Sequence, residues 1–187
     1  MVRKIKSCIF ISGNGSNMLS IIKASREYNF PIKIELIISN NLKAKGLVYA
    51  KKYSIPYRYI TSKDIMKFER DCLFLLKRKK IKFICLAGFM KKLSKSFIIN
   101  FGFKIINIHP SLLPKYKGLN TFKRLLNSGE KYAGSTVHFV TEKLDSGLII
   151  LKKKVLIEKN ETENTLKQKV LNQEHKLYPQ SIINVFK

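Results

Sequence analysis

Asn107-Ile108-His109 places a carboxamide and an imidazole two residues apart at the end of an apolar run, directly before Pro110. If the run is a strand, Asn107 and His109 share one face and Ile108 takes the other. An amide N–H donates to a carbonyl oxygen as it turns negative, and an imidazole donates or carries a proton, so the pair suits acyl transfer. Asp145 is one of three aspartates, with Asp64 and Asp71, and precedes Gly147 in a turn. A carboxylate there can orient His109 or favour its protonated form. Covalent catalysis has little support: there is no Gly-x-Ser-x-Gly elbow, and no cysteine shares a motif with a histidine. His109, His138 and His175 fall in no metal-ligand spacing, so no metal is expected. His138 reads as a packed or hydrogen-bonded strand residue, and His175, beside Glu174, as a surface or helix-packing one.

Gly13-Asn14-Gly15-Ser16-Asn17 is a second chemical feature. It lies where an apolar run passes into a helical pattern, a place where backbone N–H groups and the helix dipole favour an anion such as phosphate. Ser16 is the expected N-cap. Met18 stands where the third glycine of G-x-G-x-x-G belongs, and no Gly-Lys-Ser/Thr follows, so dinucleotide and P-loop chemistry lose support.

The elements that must position these residues follow from periodicity. Apolar runs at 5–11, 34–39, 83–87 and 104–108 read as strands, with Asn107 to His109 ending the fourth. Helical patterns fill 16–28, 44–53, 63–79 and 94–101. Such alternation predicts a single α/β doubly wound, Rossmann-like domain over residues 1–187, its sheet mostly parallel with helices on both faces. After a loop at 111–118 and a short helix at 121–127, the runs 135–140 and 148–157 follow with no helix between them, which predicts an antiparallel pair at the C-terminal edge. The segment from Thr162 to about Val185 is helical, with Pro179 expected to kink or divide it. The strand ends place Asn107 and His109 where ligands bind open α/β sheets.

Composition bounds the partners. The 187 residues are 45% hydrophobic, which excludes the disordered class, and 37 basic against 12 acidic side chains give a net charge of +25. Six of the basic residues are arginines, and the lysines are scattered rather than gathered, with only Lys77-Arg78-Lys79-Lys80 and Lys152-Lys153-Lys154 as short runs. This reads as a solvated surface that draws in anionic small molecules rather than as a nucleic-acid face. A basic nucleic-acid-binding module is the non-enzymatic alternative. Cys8, Cys72 and Cys85 lie in apolar runs with no C-x-x-C, as expected of a reducing compartment. The basic start at Met1 is followed by too short an apolar stretch for a signal peptide, and no run spans a membrane, so a cytoplasmic protein is expected.

Ile11-Ser12-Gly13-Asn14-Gly15-Ser16-Asn17, Leu86-Ala87-Gly88-Phe89-Met90, Asn107 through Tyr116 (NIHPSLLPKY), Gly134 through Val140 (GSTVHFV) and Leu144-Asp145 run in order along nearly the whole chain. In these segments it closely resembles the phosphoribosylglycinamide formyltransferases, folate-dependent enzymes of purine synthesis. The resemblance implies formyl transfer from 10-formyltetrahydrofolate, a cosubstrate, to the amine of 5-phosphoribosylglycinamide. It implies that Gly15, Ser16 and Asn17 hold the substrate phosphate and that Glu174 helps bind the substrate. It places the backbone of Met90, Lys91, Lys92 and Leu93 against the folate head group, and Asn107 and His109 beside the formyl carbon with Asp145 in support. The expected oligomeric state is a monomer or weak homodimer. Two departures stand out: Lys91-Lys92 where the family has Arg and an aliphatic residue, and Ser146 where Asp-Gly-Gly is frequent, with Gly147 left to carry the unusual dihedral. Methionyl-tRNA formyltransferase and formyltetrahydrofolate deformylase share the Asn-x-His chemistry, but the first carries a second C-terminal domain and the second an N-terminal regulatory one.

Overall fold

The computed structural model describes residues 4–187; Met1 to Arg3, part of the basic start, lie outside it. The chain divides into two compact units, up to Ile106 and from Asn107 onward. The first holds β1 (Ile5–Ile11), α1 (Ser16–Ser25), β2 (Ile32–Ser39), α2 (Leu47–Lys52), β3 (Tyr57–Tyr59), α3 (Ile65–Arg78), β4 (Phe83–Leu86) and α4 (Lys95–Phe101). From β5 (Lys104–His109) the chain continues through α5 (Thr121–Leu126), β6 (Tyr132–Phe139), β7 (Ile149–Leu156) and α6 (Glu163–Val185). The strands form one seven-stranded sheet in the order β3-β2-β1-β4-β5-β6-β7. It is the expected mostly parallel α/β sheet with an antiparallel C-terminal pair.

In the first unit, β1 pairs in parallel with β2 and β4, and β2 with β3. Cys8 through Ile11 and all of β4 are buried, the continuous apolar reading of a sheet covered on both faces. Phe10 is the hub of the core, edge-on to Phe68, Phe89 and Phe97 at centroid distances of 6.3, 5.4 and 6.2 Å. Each such pair adds about 1 kcal/mol beyond its buried area. Phe89 lies in the loop after β4, so the core itself anchors that loop. All three cysteines are free and buried.

In the second unit, β6 and β7 are antiparallel, with Ala133 opposite Val155 and Thr136 opposite Lys152. Ala133 and Val155 join Leu125, Leu166 and Val170 in a buried cluster that takes one face of the ribbon. Thr162 caps α6 by accepting the Thr165 N–H, and the Thr165 hydroxyl returns the favour to the Thr162 N–H. α6 runs unbroken through Pro179, so the second piece expected as one outcome there does not form. Buried side chains before and after it, Val170, Leu177, Tyr178 and Ile182, hold both halves in place against the cost of one missing backbone hydrogen bond. The three-residue β3 was also unexpected; it exists by pairing with β2 rather than by its own pattern. Among the described residues no helix is long and apolar enough to cross a membrane.

Candidate functional site

In the second unit, β5 delivers Asn107 and His109 at its C-terminal end, β6 delivers His138, and the β6–β7 turn delivers Asp145. His109 Nδ1 lies 3.3 Å from Asp145 Oδ2, with both side chains buried. The other ring nitrogen, Nε2, is 2.9 Å from the Tyr116 carbonyl oxygen. A carbonyl only accepts, so Nε2 carries the hydrogen. His138 Nδ1 donates to the Phe139 carbonyl at 2.8 Å. In the neutral ring Nε2 is then an acceptor, and it lies 3.3 Å from Asn107 Nδ2 and 3.6 Å from Asp145 Oδ1. His138 thus fixes which way the Asn107 amide faces, leaving the second Asn107 N–H for another acceptor.

The electrostatics follow from burial against partners. Burial alone would raise the Asp145 pKa, but the Gly118 N–H at 2.9 Å and the His109 ring hold it below the ordinary carboxylate value. Asp145 is ionised at neutral pH. For His109, burial is the largest influence and lowers the pKa; the Tyr116 carbonyl and the Asp145 carboxylate pull the other way without overcoming it. Asp145 thus acts in the expected direction, favouring the charged ring against the burial that opposes it. Both ring nitrogens face acceptors, Nε2 the Tyr116 carbonyl and Nδ1 the Asp145 carboxylate, an arrangement that suits a ring with hydrogen on each.

The turn that presents Asp145 differs in detail from expectation. The left-handed conformation falls on Asp145 itself (φ 47°) and not on Gly147. Gly147 is required for a different reason: a Cβ there would sit 1.8 Å from the Phe139 carbonyl oxygen.

The first unit carries the other two segments. Gly15, with φ 72°, is the N-cap of α1, so Ser16 is the first helical residue and not the cap. A Cβ on Gly15 would lie 2.7 Å from Gly46 Cα, and Gly46 N–H bonds to the Gly13 carbonyl. The glycines are thus accounted for by a tight backbone crossing as well as by any ligand. Asn17 is buried in the first turn of α1. After β4, Gly88 takes a left-handed φ of 75°, and Met90 N–H donates to Ser12 Oγ at 2.9 Å. Farther on, the Ser94 N–H and hydroxyl both donate to the buried Glu69 carboxylate. The loop is pinned at both ends, with Met90, Lys91 and Lys92 exposed between and Leu93 buried.

Of the residues expected to act together, Asn107, His109 and Asp145 converge, and His138 joins them. Gly15, Ser16 and Asn17 are contiguous at the start of α1, Met90 to Leu93 occupy the pinned loop, and Glu174 is buried on α6.

Residues 5–182 match the formyl transferase family model. Over 177 residues the chain is 41% identical to phosphoribosylglycinamide formyltransferase of Haemophilus influenzae, an overlap of 93% of this chain and 84% of that protein. It is 38% identical over 183 residues to the human trifunctional purine biosynthetic protein adenosine-3, with 96% of this chain matching 18% of that longer protein. The crystal structure of phosphoribosylglycinamide formyltransferase from Brucella melitensis aligns with a TM-score of 0.92 at 40% identity, covering 98% of this chain and 96% of that one.

Proposed function

The chain belongs to the formyl transferase family, and from that premise we propose that it transfers the formyl group of 10-formyltetrahydrofolate to the amine of 5-phosphoribosylglycinamide in purine biosynthesis. The observation that carries the chemistry is the convergence of Asn107, His109 and Asp145. Residues 1–187 serve as one catalytic domain. The first-turn N–H groups of α1, with Gly15, Ser16 and Asn17, hold the phosphate, since such a turn presents unpaired donors to an anion. Glu174 binds the substrate, and the backbone of Met90, Lys91, Lys92 and Leu93 meets the folate head group. Backbone contacts tolerate the Lys91-Lys92 departure.

In this reading the formyl oxygen takes over two donors: the second Asn107 N–H and the His109 Nε2–H that the Tyr116 carbonyl accepts in the free protein. As the amine nitrogen bonds to the formyl carbon, negative charge gathers on that oxygen and both donors strengthen. The amine proton then moves to the folate nitrogen N10 as the bond between formyl carbon and N10 breaks. His109, charged beside Asp145 in the substrate complex, relays it: Nε2 gives its hydrogen to N10 and recovers one from the amine nitrogen. The products are 5-phosphoribosyl-N-formylglycinamide and tetrahydrofolate. The +25 charge draws the anionic substrates inward and calls for no nucleic acid. The test compares 5-phosphoribosylglycinamide, initiator methionyl-tRNA and water as acceptors while tetrahydrofolate formation is followed spectrophotometrically. Turnover with the first alone is expected; turnover with either of the others in its place would overturn the assignment.

A further inference from the structure

Lys152 stands opposite Thr136 across the β6–β7 pair. Alternation puts both on the ribbon face away from the Ala133–Val155 cluster. The chain just after His109 lies over that face. Leu113 N–H donates to Thr136 Oγ1 at 3.1 Å, and the same hydroxyl donates to the Ser111 carbonyl at 2.7 Å. Lys152 Nζ donates to the Leu113 carbonyl, so the peptide units on both sides of Leu113 are gripped. Gly134 leaves room for the Leu112 side chain, whose Cδ2 would lie 2.6 Å from an added Cβ. Beyond the grip, Ser111 Oγ donates to the Lys115 carbonyl at 2.6 Å, which turns the chain so that the next carbonyl, that of Tyr116, accepts from His109 Nε2.

We infer that Lys152 is a positioning residue: through the Leu113 carbonyl it holds the 111–116 segment, and through Tyr116 it fixes His109 in the Nε2–H form. The role rests on the proposed reaction only for its kinetic consequence. Lys152 is exposed along its stem and belongs to no buried cluster, so its replacement leaves the fold intact. Its worth lies in one charge-assisted hydrogen bond to the Leu113 carbonyl.

The experiment uses two neutral variants. Lys152→Met keeps the stem and removes the donor; Lys152→Gln removes the charge but keeps an N–H donor. Any effect of the lost charge is common to both, so their difference isolates the hydrogen bond. With three histidines in the chain, His109 is assignable by NMR of the free protein. The expectation is that Lys152→Met loses the Nε2–H preference of His109. Its titration then moves to lower pH than in Lys152→Gln, because the Tyr116 carbonyl favours the charged ring. In turnover, Lys152→Met should lower kcat about tenfold with KM nearly unchanged, and Lys152→Gln should restore most of it. Identical His109 titrations and tautomers in the two variants would overturn the inference, as would equal losses of kcat accompanied by equal falls in melting temperature. The titration is read without substrate. It therefore decides the role of Lys152 even in a wild-type protein found to transfer no formyl group, a result that would instead remove the functional reading.

Discussion

Replacing Asp145 with Asn tests the electrostatics of the site with little change of shape. The amide oxygen still accepts the Gly118 N–H, and the charge 3.3 Å from His109 Nδ1 is lost. At an effective dielectric of about 20, a carboxylate and an imidazolium at that separation attract by about 5 kcal/mol. The Gly118 N–H already shares the carboxylate, and relieving its burial returns some free energy, so roughly half of that attraction reaches the barrier. That amounts to about 10²-fold in kcat. The carboxylate raises the His109 pKa against the burial that lowers it, so its removal should shift the alkaline limb of the pH–rate profile to lower pH. Tetrahydrofolate formation at saturating substrate measures kcat, the same assay from pH 5 to 9 gives the limb, and thermal melts verify folding. A folded variant with kcat within about threefold of wild type would refute the claim that the transition state places charge on His109.

Replacing His138 with Leu removes the acceptor that orients Asn107; kcat should fall by about 10-fold to 100-fold, the cost of one unsatisfied buried polar group, with KM little changed in steady-state assays. Gly15→Ala meets both a left-handed φ and the Gly46 Cα at 2.7 Å. It should lower stability by about 2 kcal/mol, read by urea denaturation, and raise KM for the phosphorylated substrate. Burial lowers the folded pKa of His109 below its unfolded value of about 6.5, so the unfolded chain binds the extra proton first. Stability contributed by neutral His109 is therefore full above that value and falls as pH drops from it toward the folded pKa. Melting temperatures across pH 5–8 should show this decline, and His109→Gln should flatten it.

Much of this architecture was legible because hydrophobic period follows burial. The continuous runs of β1 and β4 announced a covered parallel sheet, and the absence of a helix between β6 and β7 announced their antiparallel pairing. Asn107 and His109 were legible as a pair because strand parity is local. Their alliance with Asp145 was legible only as chemistry, since the turn that brings the carboxylate back depends on Asp145 taking a left-handed φ and on Gly147 passing against Phe139. His138 looked like an ordinary strand histidine: its partner lies on another strand, and no spacing encodes that. The Tyr116 carbonyl was invisible because backbone atoms carry no sequence signature. Pro179 misled because a local rule about a missing N–H was outweighed by packing along both halves of α6, and β3 was missed because a three-residue strand exists only by its neighbour.

The central claim is that a single carbon passes between two nitrogens under the guidance of Asn107 and His109. The most direct measurement supplies 10-formyltetrahydrofolate labelled with ¹³C in the formyl group, adds 5-phosphoribosylglycinamide, and follows the label by NMR with wild-type protein and with an Asn107→Ala, His109→Ala double variant that melts normally. The account predicts label on the glycinamide nitrogen with wild type and no transfer above the uncatalysed rate with the variant. Label released as formate by wild type, or undiminished transfer by the variant, would contradict it.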